Sequence, residues 1–199
     1  MIFAKTQKMA RRKKRRPQPE GFLSRLKGRL ATRSPILLFC LGLALIMAGY
    51  FWLYNQDFFN TYFYLPAVQF YADWGSRILS LLGQNTASDG ALIANSEFSI
   101  NIGKGCDALT PTVLFLGAVL IFPIAFRAKL PALLLAPIGI ALLNFLRIIS
   151  LFLIGIYAPG FFELAHIEIW QAIFIAVCFI GWVYWLAWAT KRTTQHGQV

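Results

Sequence analysis

Long apolar runs constrain this chain more than any other feature. They occupy residues 34–54, 109–126, 130–157 and 167–189. The first holds 21 residues without a charge. At 1.5 Å per residue it extends about 31 Å, enough to cross a bilayer's hydrocarbon core. It exceeds the 7–15 apolar residues of a cleaved signal peptide and lacks a small-x-small cleavage site, so it is expected to be an uncleaved anchor. Of the 199 residues 58% are apolar and 14% charged, against about 45–50% and about 25% in an average soluble domain. The expectation is an all-α polytopic membrane protein: a bundle of four transmembrane helices, an amphipathic outer helix and a small extracytoplasmic β-hairpin.

Charge sets the orientation. The formal charge of +11 suggests nucleic acid until its location is considered. Residues 1–33 carry twelve Lys/Arg against Glu20, which is the entire net charge, and the rest of the chain carries seven of each sign. Lys/Arg bias places segments in the cytoplasm, so a basic cytoplasmic arm (1–33), an integral membrane domain (34–190) and a cytoplasmic tail (191–199) are expected. Anionic lipid is a second use for the run RRKKRR, and no nucleic-acid partner is expected. The short Arg127-Ala128-Lys129 loop and Lys191-Arg192 are placed inside by the same rule. Four crossings satisfy all three placements and leave residues 55–108 outside.

Residues 62–82 form a polar stripe of Gln69, Asp73, Ser76, Arg77 and Ser80, with Val68, Tyr71, Trp74, Ile78 and Leu82 on another face. A span here would invert every later loop, so an amphipathic helix at the outer surface or packed against the bundle is predicted. Phe98, Ile100 and Ile102 then alternate with polar residues at the period of a strand. With Leu92, Ile93 and the Asn95-Ser96 turn they predict a hairpin that leads through Gly103-Lys104-Gly105 to Cys106.

Three groups on or near the outer side carry reactive chemistry. Cys106 opens the helix expected to start near Asp107–Pro111. A helix N-terminus favours the thiolate, Lys104 would help and Asp107 would oppose it, so nucleophile and inert thiol both stay open. Asp107 and Thr110 also suit helix capping. Arg147 lies inside LLNFLRIISLFL, where a charge costs about 2.5–3.5 kcal/mol. Its side chain is biased toward the helix N-terminus, here the cytoplasmic end, so it cannot snorkel outward. It must face the bundle interior, either for function or in an ion pair with Asp107, Glu163 or Glu168. Asn144 shares its face and is placed to orient it. His166 begins the last run and has the pKa of an acid–base group, or it is a plain interfacial histidine. One histidine with Glu163 and Glu168 makes no metal set, and neither metal nor cofactor is expected. Cys40 and Cys178 sit in apolar runs as fillers, and His196 lies in the tail. A thiol, a base and a cation converging on one side form a set suited to acyl transfer through a thioester.

These motifs resemble the exosortase/archaeosortase family of membrane proteases. Gly105-Cys106-Asp107-Ala108-Leu109 is similar to the family's GC-x-x-L at a helix start after an extracytoplasmic segment. Asn144-Phe145-Leu146-Arg147-Ile148 is similar to its N-x-x-R-I, and His166 to the histidine at the outer end of a later helix. The likeness covers roughly residues 90–190. Many members carry Cys-Ser-Gly where this chain has Cys106-Asp107-Ala108, and its length is that of the compact subfamilies. The resemblance implies a cysteine protease or transpeptidase of the cytoplasmic (inner) membrane, with its active site on the extracytoplasmic side. Its catalytic residues would be Cys106, Arg147 and His166, with Asn144 binding substrate or orienting. Its partners would be secreted proteins with a C-terminal sorting signal of short motif, transmembrane helix and basic tail. The competing expectation is a non-enzymatic scaffold or assembly subunit of an exopolysaccharide or secretion system, with Arg147 in a packing ion pair. A transporter fits less well, because only Arg147 is charged deep within a run.

Overall fold

A computed structural model describes residues 35–196, so the expected basic arm 1–33 and the last tail residues 197–199 lie outside the described residues. Residues from Phe39 onward form one compact unit.

The chain is mostly helical with one small sheet. Helix α1 is Pro35–Tyr54. A short helical run through Asp57–Phe59 and the wider turn Asn60–Tyr64 leads into α2, Leu65–Leu81. Strands β1 (Ala87–Asp89), β2 (Leu92–Ala94) and β3 (Ser99–Asn101) form one antiparallel sheet in that order. Helices α3 (Leu109–Ile121) and α4 (Phe126–Tyr157) follow. A helical approach through Pro159–Phe161, Phe162–Leu164 and the π-turn Ala165–Ile169 leads into α5, Trp170–His196.

Three segments are long and apolar enough to cross a membrane: Pro35–Tyr54, Phe126–Tyr157 and Pro159–Arg192. Leu45, Leu134, Leu135, Ile138, Leu142, Phe179 and Ile180 on these helices are exposed. Surfaces this apolar suit contact with hydrocarbon rather than water.

The fourth apolar run departs from expectation. Its helix stops at Ile121 after 13 residues, about 20 Å of length. Pro123 is the cause: it disfavours helical backbone at Phe122, which is extended at φ −62°, ψ 131°. Arg127, Ala128 and Lys129, expected as a loop, instead lie in the first turns of α4. Lys129 is buried and its Nζ donates to Leu120 O at 2.5 Å. A cation there meets the negative end of α3.

The amphipathic helix also differs. The buried face of α2 is Val68, Tyr71, Ala72, Gly75, Ser76 and Leu79, whereas Trp74 and Leu82 are exposed. Ser76, assigned to the polar stripe, is buried because its hydroxyl finds Thr86 O at 3.0 Å and Thr86 Oγ1 at 3.1 Å. This face packs with Ile93 and Ile102 of the sheet region against Ile148 and Phe152 of α4. A second apolar cluster joins α3, the other side of α4 and α5 through Phe115, Val119, Leu151, Phe174 and Trp185. Helix α4 therefore runs between the two clusters.

The sheet has one strand more than the expected hairpin. Its β2–β3 turn is shaped by Asn95, whose Oδ1 accepts from the backbone N–H of Glu97 and Phe98 at 2.9 and 2.8 Å. That side-chain mimicry of a turn is what suits asparagine to such corners.

Candidate active site

Cys106 is delivered by β3 through a tight loop. Gly105 has φ +91°, open to glycine without strain, and Cys106 N–H donates to Gly103 O at 3.0 Å. Helix α3 begins at Leu109, within the expected range, because Ala108 adopts φ +58° and breaks the helical path before it. Asp107 is 1% exposed and accepts from Leu109 N–H at 2.9 Å and from the Tyr54 hydroxyl. Its carboxylate thus fastens the start of α3 to the end of α1. Thr110, the other expected cap, instead shares a 3.1 Å hydrogen bond with the Tyr50 hydroxyl.

His166 reaches the thiol from the π-turn that precedes α5. Its Nε2 lies 3.1 Å from Cys106 Sγ, within range of a hydrogen bond whose donor depends on the tautomer. A π-turn carries one extra residue per turn and is common where a side chain must be aimed at a site. The ring lies 5.7 Å from that of Phe162.

Arg147 is 9% exposed, facing inward from α4. Its NH1 donates to Gly105 O at 3.4 Å and its NH2 to His166 O at 3.3 Å. The guanidinium also sits 5.6 Å from the centre of the Phe174 ring. Its Nε is buried without a partner among the described residues. Among the described residues neither Asp107, Glu163 nor Glu168 forms an ion pair with it, and both glutamates are exposed. Asn144 is fully buried, and its Nδ2 donates to Cys106 O at 3.0 Å. Asn144, expected to orient Arg147, makes this hydrogen bond to the cysteine's own backbone.

Electrostatics at the thiol run against the expected helix effect. Burial raises the Cys106 pKa most, Arg147 lowers it, and Asp107 raises it. Lys104, expected to help, is turned toward α1, with Nζ 3.4 Å from Tyr54 O and 4.8 Å from the Tyr54 ring centre. The net direction is upward, so the thiol is protonated at neutral pH and needs a base to become nucleophilic.

Cys106, Arg147 and His166 line one cavity of about 330 Å³, together with Phe98, Ser99, Asn101 and Phe162. A second cavity of about 630 Å³ borders the opposite side of Arg147 and runs between Phe39, Leu114, Phe115, Phe174, Ile175 and Trp182. Cys40 is exposed and Cys178 half-buried, both as free thiols. Among the described residues no three His, Cys, Asp or Glu side chains cluster around a point that could hold a metal ion. Asp107, Tyr54 and Lys129 are structural contributors that sequence reasoning missed or cast differently; an acid and a lysine placed beside apolar helix ends are the signal for them. Comparison with protein-family models, curated proteins and solved structures returns no match.

Proposed function

We propose that this chain is a membrane cysteine protease or transpeptidase of the exosortase type, acting on the outer side of the cytoplasmic membrane. The observation that carries the reading is the 3.1 Å approach of Cys106 Sγ to His166 Nε2 within a cavity that Arg147 also lines. His166 takes the thiol proton as Sγ bonds to the scissile carbonyl carbon. Arg147 stabilises the oxyanion. The amide C–N bond then breaks, the amine leaves with the proton from His166, and a thioester remains on Cys106. Water or an acceptor amine attacks that thioester, restoring the thiol. The substrates are secreted proteins bearing a C-terminal motif, transmembrane helix and basic tail. That helix docks laterally, and the apolar cavity beside Arg147 is the space that supports this. The bundle crosses the membrane four times, with α3 as the short crossing and the bent residues 122–125 turning the chain into α4.

Selective alkylation tests the reading against a scaffold. A membrane-impermeant maleimide is expected to label Cys106 well ahead of Cys40 and Cys178, and His166→Ala is expected to slow it. Because burial keeps the thiol protonated, the rate should still climb between pH 7 and pH 9. A Cys106 that is inert across that range would leave the scaffold reading standing.

A further inference from the structure

One wall of the cysteine cavity is the open edge of the sheet. β3 is an outer strand. Its register pairs Ile93 with Ile100, and Asn95 N–H donates to Phe98 O and Ile102 N–H to Ala91 O, both at 2.9 Å. Residues of an antiparallel pair alternate between turning their backbone groups toward the partner strand and away from it. Phe98, Ile100 and Ile102 therefore face β2, and Ser99 and Asn101 face away. Asn101 O is taken by Gly103 N–H at 3.0 Å. The Ser99 N–H, Ser99 C=O and Asn101 N–H remain without hydrogen bonds among the described residues. Such an edge is a template for one more strand, and Ser99, Ile100 and Asn101 line the same cavity as Cys106 and His166.

We propose that the substrate is bound as an extended peptide that adds to β3 as a fourth strand through Ser99 and Asn101, and that this pairing carries its scissile carbonyl to Cys106. The proposal rests on the acyl-enzyme reading above and adds the mode of recognition. A three-residue edge is about 10 Å long and so grips roughly three residues of backbone. Side chains of the added strand alternate between its two faces. One set meets Phe98, Leu151 and Phe162, which favours apolar residues, and the other lies with the exposed Ser99 and Asn101. The unpartnered Arg147 Nε, nine-tenths buried on the same cavity, is the complement of a peptide carbonyl entering it.

Full-length protein in detergent is treated with a pool of acetylated tetrapeptidyl chloromethyl ketones with randomised side chains, and separately with chloroacetamide. In both reactions the Sγ–C bond forms as chloride leaves, and His166 takes the thiol proton. The measured quantity is the ratio of the two labelling rates at Cys106. Two further pools are N-methylated at alternate amides, which blocks strand pairing in one phase or the other. The ratio is expected to fall by about tenfold for one methylated pool but not the other, the loss of one or two net backbone hydrogen bonds. Ser99→Pro should lower it similarly, since proline is tolerated on an edge and the lost N–H lies outside the β2 ladder. A ratio unmoved by either methylated pool and by Ser99→Pro would overturn strand addition while leaving the cysteine chemistry intact. Failure of Cys106 to react even with chloroacetamide would instead overturn the acyl-enzyme reading, and strand addition with it.

Discussion

Arg147 is held by two carbonyls on the two sides of the Cys106–His166 contact, Gly105 O before the cysteine and His166 O itself. Both contacts are long for hydrogen bonds, 3.4 and 3.3 Å, and Nε donates to nothing. A guanidinium so placed can brace the loop against the π-turn, and it can also offer a donor to charge that develops in the cavity. Lysine keeps the charge but not the planar fork, and this separates the two roles. Acylation by p-nitrophenyl acetate passes through an oxyanion, whereas alkylation by chloroacetamide does not. Arg147→Lys is therefore expected to reduce the Cys106-dependent nitrophenolate burst by roughly 10²-fold or more, and chloroacetamide labelling far less. Equal losses in both reactions would assign Arg147 to bracing alone. A normal burst from well-folded Arg147→Ala would remove it from the chemistry.

Between elements, the closest fit is where α4 meets the start of β3. A Cβ added at Gly155 would lie 2.2 Å from the Phe98 ring, and Phe98 packs edge-on against Phe152 and Phe162 with ring centres 5.6 Å away in each case. Gly155→Ala forces that ring to move and should cost about 1–3 kcal/mol. Thermal unfolding in detergent would measure it. Phe98→Leu should recover part of the loss when combined, because the two sites are in contact and their effects do not add. Purely additive losses would mean the ring relocates freely. This contact had no signal in the sequence, where Gly155 is one more small residue in an apolar run. Other features were legible. Phe98, Ile100 and Ile102 announce a strand by alternation, and Arg147 announces an interior position because lipid rejects its charge. The buried face of α2 was not, since Ser76 changes sides for Thr86, a partner supplied by the chain's later path. Asn144 was legible as a buried polar residue but not as the holder of Cys106 O, because a backbone carbonyl acceptor leaves no mark in the sequence. The end of α3 was marked by Pro123, whose effect on Phe122 outweighed an apolar run that continues to Phe126.

Across the whole molecule, the three long apolar segments alone would put the two ends of the chain on opposite sides of a membrane. That separates the twelve basic residues of 1–33 from Lys191 and Arg192, contrary to the rule that Lys and Arg stay inside. A fourth crossing restores it. Helix α3 supplies about 20 Å, and residues 122–125 bend the chain, with Ile124 N–H donating to Phe122 O at 2.8 Å, rather than lengthen the crossing. That length is short for a hydrocarbon core of about 30 Å, a mismatch met by local thinning of the bilayer and by flanking residues that snorkel. Lys129 fits this arrangement, since it binds Leu120 O at the end of α3 that would face the cytoplasm. Cys106, at the other end of α3, would then open outward together with the sheet. In a background with Cys40, Cys106 and Cys178 replaced by serine, Asp89→Cys at the end of β1 and Ala125→Cys between α3 and α4 report the two faces. An impermeant maleimide should label Asp89→Cys in intact cells, and Ala125→Cys only after the membrane is permeabilised. Labelling of both in intact cells would make α3 a re-entrant element and leave three crossings. The reverse pattern would turn the bundle over and bring Cys106 to the cytoplasmic face, overturning the proposed function.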